Sequence, residues 1–222
     1  MTRNFLFSIG EYYHCYSRGT EKRRIFLSKK DYERFVALLF VCNSTKTIHL
    51  SDCHKKSFLE IFNMEREDNI VEIGAYCLMP NHFHLLLREK QEGGISLFMQ
   101  KLITAYTMYF NKKYERTGAL FESSFKAEHS NKDRYLKYLF SYIHLNPIKI
   151  IDSRWKEGGI KNSKRTGEFL DKYEYSSYLD YLENNRPQSI IINKKAFPNY
   201  FANKKVFKEE MSDWLNYNNV KV

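Results

Sequence analysis

The sequence predicts an α+β fold, a ferredoxin-like antiparallel sheet with helices packed on one face. Three observations lead there. Short runs rich in apolar and aromatic residues suit strands. Elsewhere apolar residues recur at three- and four-residue intervals, as on one face of a helix. The two patterns follow one another in the order βαββαβ, which suits an antiparallel sheet covered by helices. With 43% hydrophobic residues in 222, the chain has enough apolar surface for a packed core.

Glu11 to Ser17 is rich in aromatics and reads as the first strand, followed by a basic turn over Arg18 to Arg24. Ser28 and Asp31 form a capping pair for a helix over about Lys29 to Cys42, with Tyr32, Phe35, Leu38, Leu39 and Cys42 on its apolar face. Residues 43–69 read as a mixed polar insertion in which Phe58, Leu59, Ile61 and Phe62 mark a short element of either type. Ile70 to Met79 and His82 to Arg88 are strands of a hairpin turned by Pro80 and Asn81. Ile95, Phe98, Leu102, Ala105 and Tyr109 trace a long helix ending near Tyr114, and Gly118 precedes an extended segment around Phe125 to Glu128. Ser130 and Asp133 are expected to cap a last core helix running to Leu145, where Asn146 and Pro147 stop it. Beyond Ile150 come a polar loop with a basic run at Lys161 to Arg165, an aromatic docking segment at Tyr173, Tyr175 and Tyr178, and an amphipathic helix over Lys204 to Tyr217.

The 36 Lys and Arg exceed the 26 Asp and Glu by ten, a surface field that favours a polyanion such as nucleic acid. Aromatics at 16% suffice both for a core and for bases to stack on exposed rings. Cys15, Cys42, Cys53 and Cys77 show no CxxC pair and no secreted-framework spacing, so reduced thiols are expected. A zinc site from Cys42, His49, Cys53 and His54 is weighed against a polar excursion between core elements, and the irregular spacing favours the excursion. No signal-peptide pattern and no run of about 18 apolar residues occurs, which reads as a soluble cytoplasmic protein.

His82 and His84 lie two apart on a strand and share a face, so two imidazoles stand side by side in a geometry that suits a divalent metal. For the bare pair, the alternative is two unrelated histidines on a half-buried strand. Leu86 follows where a triple-histidine phosphatase would need its third histidine. Tyr142 and Asn146 are four apart at the end of the last core helix, a spacing that stacks a phenol and an amide on one face. Because Pro147 follows, Asn146 is open to two readings, a helix C-cap or a ligand. His144 should point elsewhere and be structural. A phenol is a poor nucleophile near neutral pH unless a metal polarises the phosphate or a base assists, yet the resulting phosphotyrosine can be attacked by a DNA 3′-hydroxyl.

Met79-Pro-Asn-His-Phe-His-Leu-Leu-Leu87 and Tyr142-Ile-His-Leu-Asn-Pro147 together resemble the paired signatures of REP-associated tyrosine transposases, within the HUH single-tyrosine superfamily. Tyr13-His-Cys-Tyr-Ser-Arg-Gly19 with Ile25-Phe26 is similar to that family's opening, and Tyr175-Ser-Ser-Tyr178 to its downstream segment. The resemblance covers about residues 12–178. It implies an HUH endonuclease fold, with His82 and His84 as ligands of Mg²⁺ or Mn²⁺, Asn146 as a third ligand and Tyr142 as nucleophile. The expected activity is cleavage and transfer of single-stranded DNA at hairpin-forming repeat ends. One departure stands out: Glu122, Ser123 and Ser124 occupy a place where relatives often carry a Gln-Gly-Arg-like segment. Basic residues at the strand and helix ends around the site, Arg18, Arg23, Arg24, Lys126 and Lys149, are expected to contact phosphates. The catalytic domain is expected over 11–150, with an insertion at about 43–69, and a C-terminal extension over 151–222. A monomer is favoured over a homodimer. Two other classes compete: a non-catalytic ferredoxin-like single-strand-binding protein, and an HUH replication or mobilisation nuclease.

Overall fold

The computed structural model describes residues 6–46, 48, 56–160 and 162–216. Its core elements are β1 (Tyr12–Arg18), α1 (Lys29–Val41), α2 (Phe58–Ile61), β2 (Val71–Met79), β3 (His82–Glu89), α3 (Gly94–Lys113), β4 (Lys126–His129) and α4 (Asp133–Leu145). The four strands form one antiparallel sheet in the order β2-β3-β1-β4. That is the ferredoxin-like arrangement expected from the βαββαβ pattern.

Alternation along the strands divides the protein into two cores. Tyr13 and Cys15 of β1 and Phe83, Leu85 and Leu87 of β3 point to the face covered by α1 and α3. α1 starts where expected, with the buried Asp31 carboxylate accepting hydrogen bonds from the Leu27 and Ser28 backbone N–H groups. α4 covers the opposite face, so helices flank both sides of the sheet and not one as expected: Leu136, Leu139, Phe140 and Ile143 pack with Ala75, Cys77 and Leu86. A bulge between Ile73 and Ala75 lets both contribute to cores on opposite faces. At its centre, a Cβ on Gly74 would come within 2.7 Å of the Phe197 ring, so only glycine fits there.

One detail of α4 differs from the sequence reading. Ser130 does not cap it. Its N–H continues the sheet by donating to Tyr12 O, so the chain needs two more residues to turn, and Lys132 becomes the N-cap without a side-chain hydrogen bond. The α-helix ends at Leu145, as expected, with Asn146 as its C-cap, and the chain winds on from there as a 3₁₀ turn. Asn146 stays helical at φ −56°, ψ −37°, and Pro147 sits near the start of a 3₁₀ turn, Asn146–Ile150, where its missing N–H is no loss.

Where a polar loop was expected after residue 150 the chain holds short helices, α5 (Trp155–Gly158) and α6 (Ser163–Leu170); α7 (Tyr178–Tyr181) ends the docking segment, and α8 (Lys204–Asn216) is the expected amphipathic helix. Part of the basic run read as loop is the first turn of α6, which Asn162 caps by accepting from Arg165 N–H. The 173–178 segment closes the free edge of β2, with Leu78 N–H donating to Tyr175 O and Ser177 N–H to Tyr76 O. α8 buries Phe207 and Met211 in the second core. The segment read as an element of either type is the helix α2. Of the four residues weighed as a zinc site, only Cys42 lies within the described residues, buried in the first core; His49, Cys53 and His54 lie outside them. No helix among the described residues is long and apolar enough to cross a membrane.

Candidate active site

Tyr16 pairs with both His84 and Lys126, and His14 with Glu128. By alternation, His14, Tyr16 and Arg18 of β1, His82 and His84 of β3, and Lys126 and Glu128 of β4 therefore share the face that α4 crosses. α4 adds Tyr135, Tyr138 and Tyr142, at three- and four-residue spacing along one side. Together they line a cavity of about 510 Å³, within the range of small-ligand sites.

The position of the histidines follows from the β2–β3 turn. Asn81 donates from Nδ2 to Lys22 O, which leaves its Oδ1, 2.6 Å from His82 Nδ1, as an acceptor. His82 Nδ1 thus carries the proton and Nε2 keeps a lone pair. Gly19 completes this corner: its N–H donates to Asn81 O, and a Cβ there would meet Arg23 O at 2.4 Å. The His82 and His84 ring centroids are 5.0 Å apart. His84 Nδ1 lies 2.9 Å from His14 Nε2 in a buried contact. Burial, helped by the neighbouring Arg18 and Lys149, brings the His82 pKa down to about 4. Burial also holds His84 well below the usual histidine value, with His14 and His82 adding to the effect. Burial lowers His14 to about 4, opposed by Glu128. All three rings are neutral near pH 7, the form that offers a lone pair to a metal. A tautomer with the proton on His84 Nδ1, donated to His14 Nε2, leaves His84 Nε2 bare.

Tyr142 faces both inner histidines, with ring centroids 5.4 Å from His84 and 5.7 Å from His14. Burial raises its phenol above the ordinary value, and the Asn146 amide opposes that rise. Lys156 Nζ lies 4.2 Å from the centre of the Tyr142 ring and Lys149 Nζ 5.9 Å, so two cations sit on its π face. Burial beside the ring, together with Lys149, lowers Lys156 to about 8.

Among the described residues, no group of three or more His, Cys, Asp and Glu side chains is placed to hold a metal ion. A divalent ion here would need an oxygen from outside that set. The Asn146 amide meets the chemical requirement: the residue is 1% exposed, its nitrogen is turned toward the Tyr142 phenol, and its oxygen has no hydrogen-bond partner among the described residues. It does not itself line the cavity. Two neutral imidazoles and one orphaned amide oxygen fit a small divalent cation with positions left open.

Of the residues expected to contact phosphate, Arg18, Lys126 and Lys149 line the cavity. Arg23 and Arg24 do not: Arg23 pairs with Glu21 and donates to Thr20 O, while Arg24 lies near Tyr32. Glu122, at the place of the sequence departure, lines the cavity with an acidic group. His144 is buried away from the cavity, 2.8 Å from Ser177 Oγ. The sequence reading missed His14, Tyr16, Glu128, Tyr135, Tyr138 and Lys156. Spacing could have placed several of them on the histidine face: His14 and Tyr16 two apart on the first strand, Glu128 two from Lys126, and Tyr138 and Tyr135 four and seven residues before Tyr142 on its helix.

The family described as "Transposase IS200 like" matches residues 13–146. Among solved structures, one described as a REP-associated tyrosine transposase bound to a REP hairpin is similar in fold, at 11% identity and a TM-score of 0.50. The match covers 85% of this chain and 89% of that one. Among curated proteins, none matches the sequence.

Proposed function

The chain belongs to the IS200-like transposase family, and on that premise we propose that it cuts and rejoins single-stranded DNA through a covalent bond to Tyr142. The observation that carries this reading is the phenol of Tyr142 standing over the neutral His84 and His14 rings, in a cavity edged by Arg18, Lys126 and Lys149. These cations would hold the backbone of a bound strand. The solved neighbour, bound to a REP hairpin, supports a hairpin as the DNA form.

His82 Nε2, His84 Nε2 and the Asn146 amide oxygen would hold Mg²⁺ or Mn²⁺, which when bound polarises the scissile phosphate. The Tyr142 oxygen attacks phosphorus as the phenol gives up its proton, and the P–O3′ bond breaks. The departing oxygen takes up a proton and becomes a free 3′-hydroxyl, while the 5′-phosphate stays on Tyr142. Attack by another 3′-hydroxyl reforms a phosphodiester and returns the phenol. Tyr142 and the histidines face each other within one chain, which supports cleavage by a monomer.

Incubation of the protein with single-stranded hairpin DNA and Mn²⁺ should give a denaturation-resistant adduct that maps to Tyr142 by peptide mass spectrometry. Tyr142→Phe should form none while retaining hairpin binding, because only the phenolic oxygen is lost. An adduct on Tyr138 or Tyr135, or undiminished cleavage by Tyr142→Phe, defeats the assignment. Binding without any adduct from the wild type would instead favour a single-strand-binding protein.

A further inference from the structure

The cavity holds an acidic group that phosphate chemistry does not call for. Glu128 projects from β4 into a site that it shares with Arg18, Lys126, Lys149 and a second carboxylate, Glu122, and its charge repels a DNA backbone. Its carboxylate is nonetheless held in place. Tyr16 donates to Oε1 at 2.8 Å and Tyr135 to Oε2 at 3.0 Å. Burial and the contact with Glu128 raise the Tyr16 phenol to about 12, and the Tyr135 phenol is raised for the same reasons, so both stay protonated donors. Each carboxylate oxygen keeps a lone pair for a further donor.

The surroundings suit a flat, aromatic, hydrogen-bonding ligand. Tyr16, Tyr135 and Tyr138 are half-buried rings lining one cavity, and such rings stack with unpaired bases irrespective of sequence. Sequence preference then depends on the polar groups at the ring edge. A fixed carboxylate accepts two parallel hydrogen bonds, and guanine is the DNA base whose Watson–Crick edge offers two adjacent donors, N1–H and the 2-amino group. Adenine and cytosine place a ring acceptor beside their single amino donor, and thymine flanks its one N–H with two carbonyls. Each of these sets an acceptor against the carboxylate. Lys126, two residues before Glu128 on the same strand face, supplies the cation that guanine O6 needs.

We propose that Tyr16, Tyr135, Tyr138 and Glu128 form a seat for one unpaired guanine beside Tyr142, which gives the site a base preference of its own. The proposal rests on the reading of this cavity as the place where single-stranded DNA binds.

The test is equilibrium binding of the full chain, in chelator so that no cleavage intervenes, to thymidine pentamers whose central nucleotide is dG, deoxyinosine, dA, dC or dT. The dG pentamer should bind at least about ten-fold more tightly than the dA, dC and dT pentamers, with deoxyinosine, which lacks the 2-amino group, in between. Glu128→Gln should abolish the preference, since its amide sets a donor against the guanine donors, so that the dG pentamer binds no more tightly than the dA, dC and dT pentamers. Equal binding of all five pentamers, or an undiminished preference in Glu128→Gln, overturns the proposal. Failure of the cleavage reading would show separately, as absence of a Tyr142 adduct with hairpin DNA and Mn²⁺ whatever the pentamers do.

Discussion

His14 shows how one residue sets the chemistry of another. Its Nε2 lies against His84 Nδ1, and with both rings neutral a single proton lies between them. Asn81 does the same for His82 through an oxygen that can only accept. Ligating histidines with the second nitrogen held in this way bind metal more tightly, and loss of the partner costs roughly 10- to 100-fold in affinity. His14→Ala should therefore weaken Mn²⁺ binding, measured by calorimetry, by about ten-fold or more, with circular dichroism unchanged. Unaltered affinity in a folded His14→Ala variant would remove the orienting role. From the sequence, His82 and His84 stood out because two apart on a strand means one face. His14 did not, because its partner lies 70 residues away and only strand pairing, His14 to Leu86 and Tyr16 to His84, brings the two together.

At the level of elements, the strands and long helices were legible because each buries one face and leaves a period of two or near 3.6 in the sequence. α1, α3 and the β2–β3 hairpin lie where those periods put them. Within residues 151–200 the aromatic docking segment at 173–178 was legible, but the short helices were not: α5, α6 and α7 are four to eight residues long, too short to show a period, and they are held by docking on β2 and α4. That docking has a consequence at the site. α5 carries Lys156 back over the Tyr142 ring, 4.2 Å from its centre, a contact no local pattern in the sequence announces. A cation on the ring face favours the phenolate that forms during attack and fixes the ring's orientation. Lys156→Met should slow single-turnover adduct formation by roughly ten-fold, as expected for a cation–π contact of about 1.4 kcal/mol, and move the pH–rate profile upward. Lys156→Arg should restore much of the rate, since a guanidinium also stacks on the ring. Identical rates and profiles for the wild type and Lys156→Met would confine Lys156 to packing.

The whole molecule places neutral histidines in both the site and the second core, and this ties its stability to pH. His144, fully buried on α4 against Tyr181 and Phe207, has its pKa brought down to about 3 by burial and by Lys194, opposed by the Phe140 backbone. In the unfolded chain the same residue titrates near 6.5. Between these values the unfolded chain holds a proton that the folded chain refuses, so acid favours unfolding. The stability His144 contributes is thus present above pH 6.5 and is lost progressively as pH falls toward 3, at up to about 1.4 kcal/mol per pH unit. His14 and His82, each lowered to about 4, act in the same direction over the window from 6.5 to 4. Urea midpoints measured in chelator should fall steeply from about pH 7 to about pH 4.5, more steeply than carboxylate protonation alone would produce, because most carboxylates titrate below that window. His144→Gln removes one titrating group while keeping a side chain that can reach Ser177. It should lower stability at neutral pH through imperfect packing, yet lose less on acidification than the wild type, so that the two curves converge as pH falls. Parallel curves would mean that His144 takes up its proton in the folded protein as readily as in the unfolded chain, and the second core would then have to accommodate a buried charge.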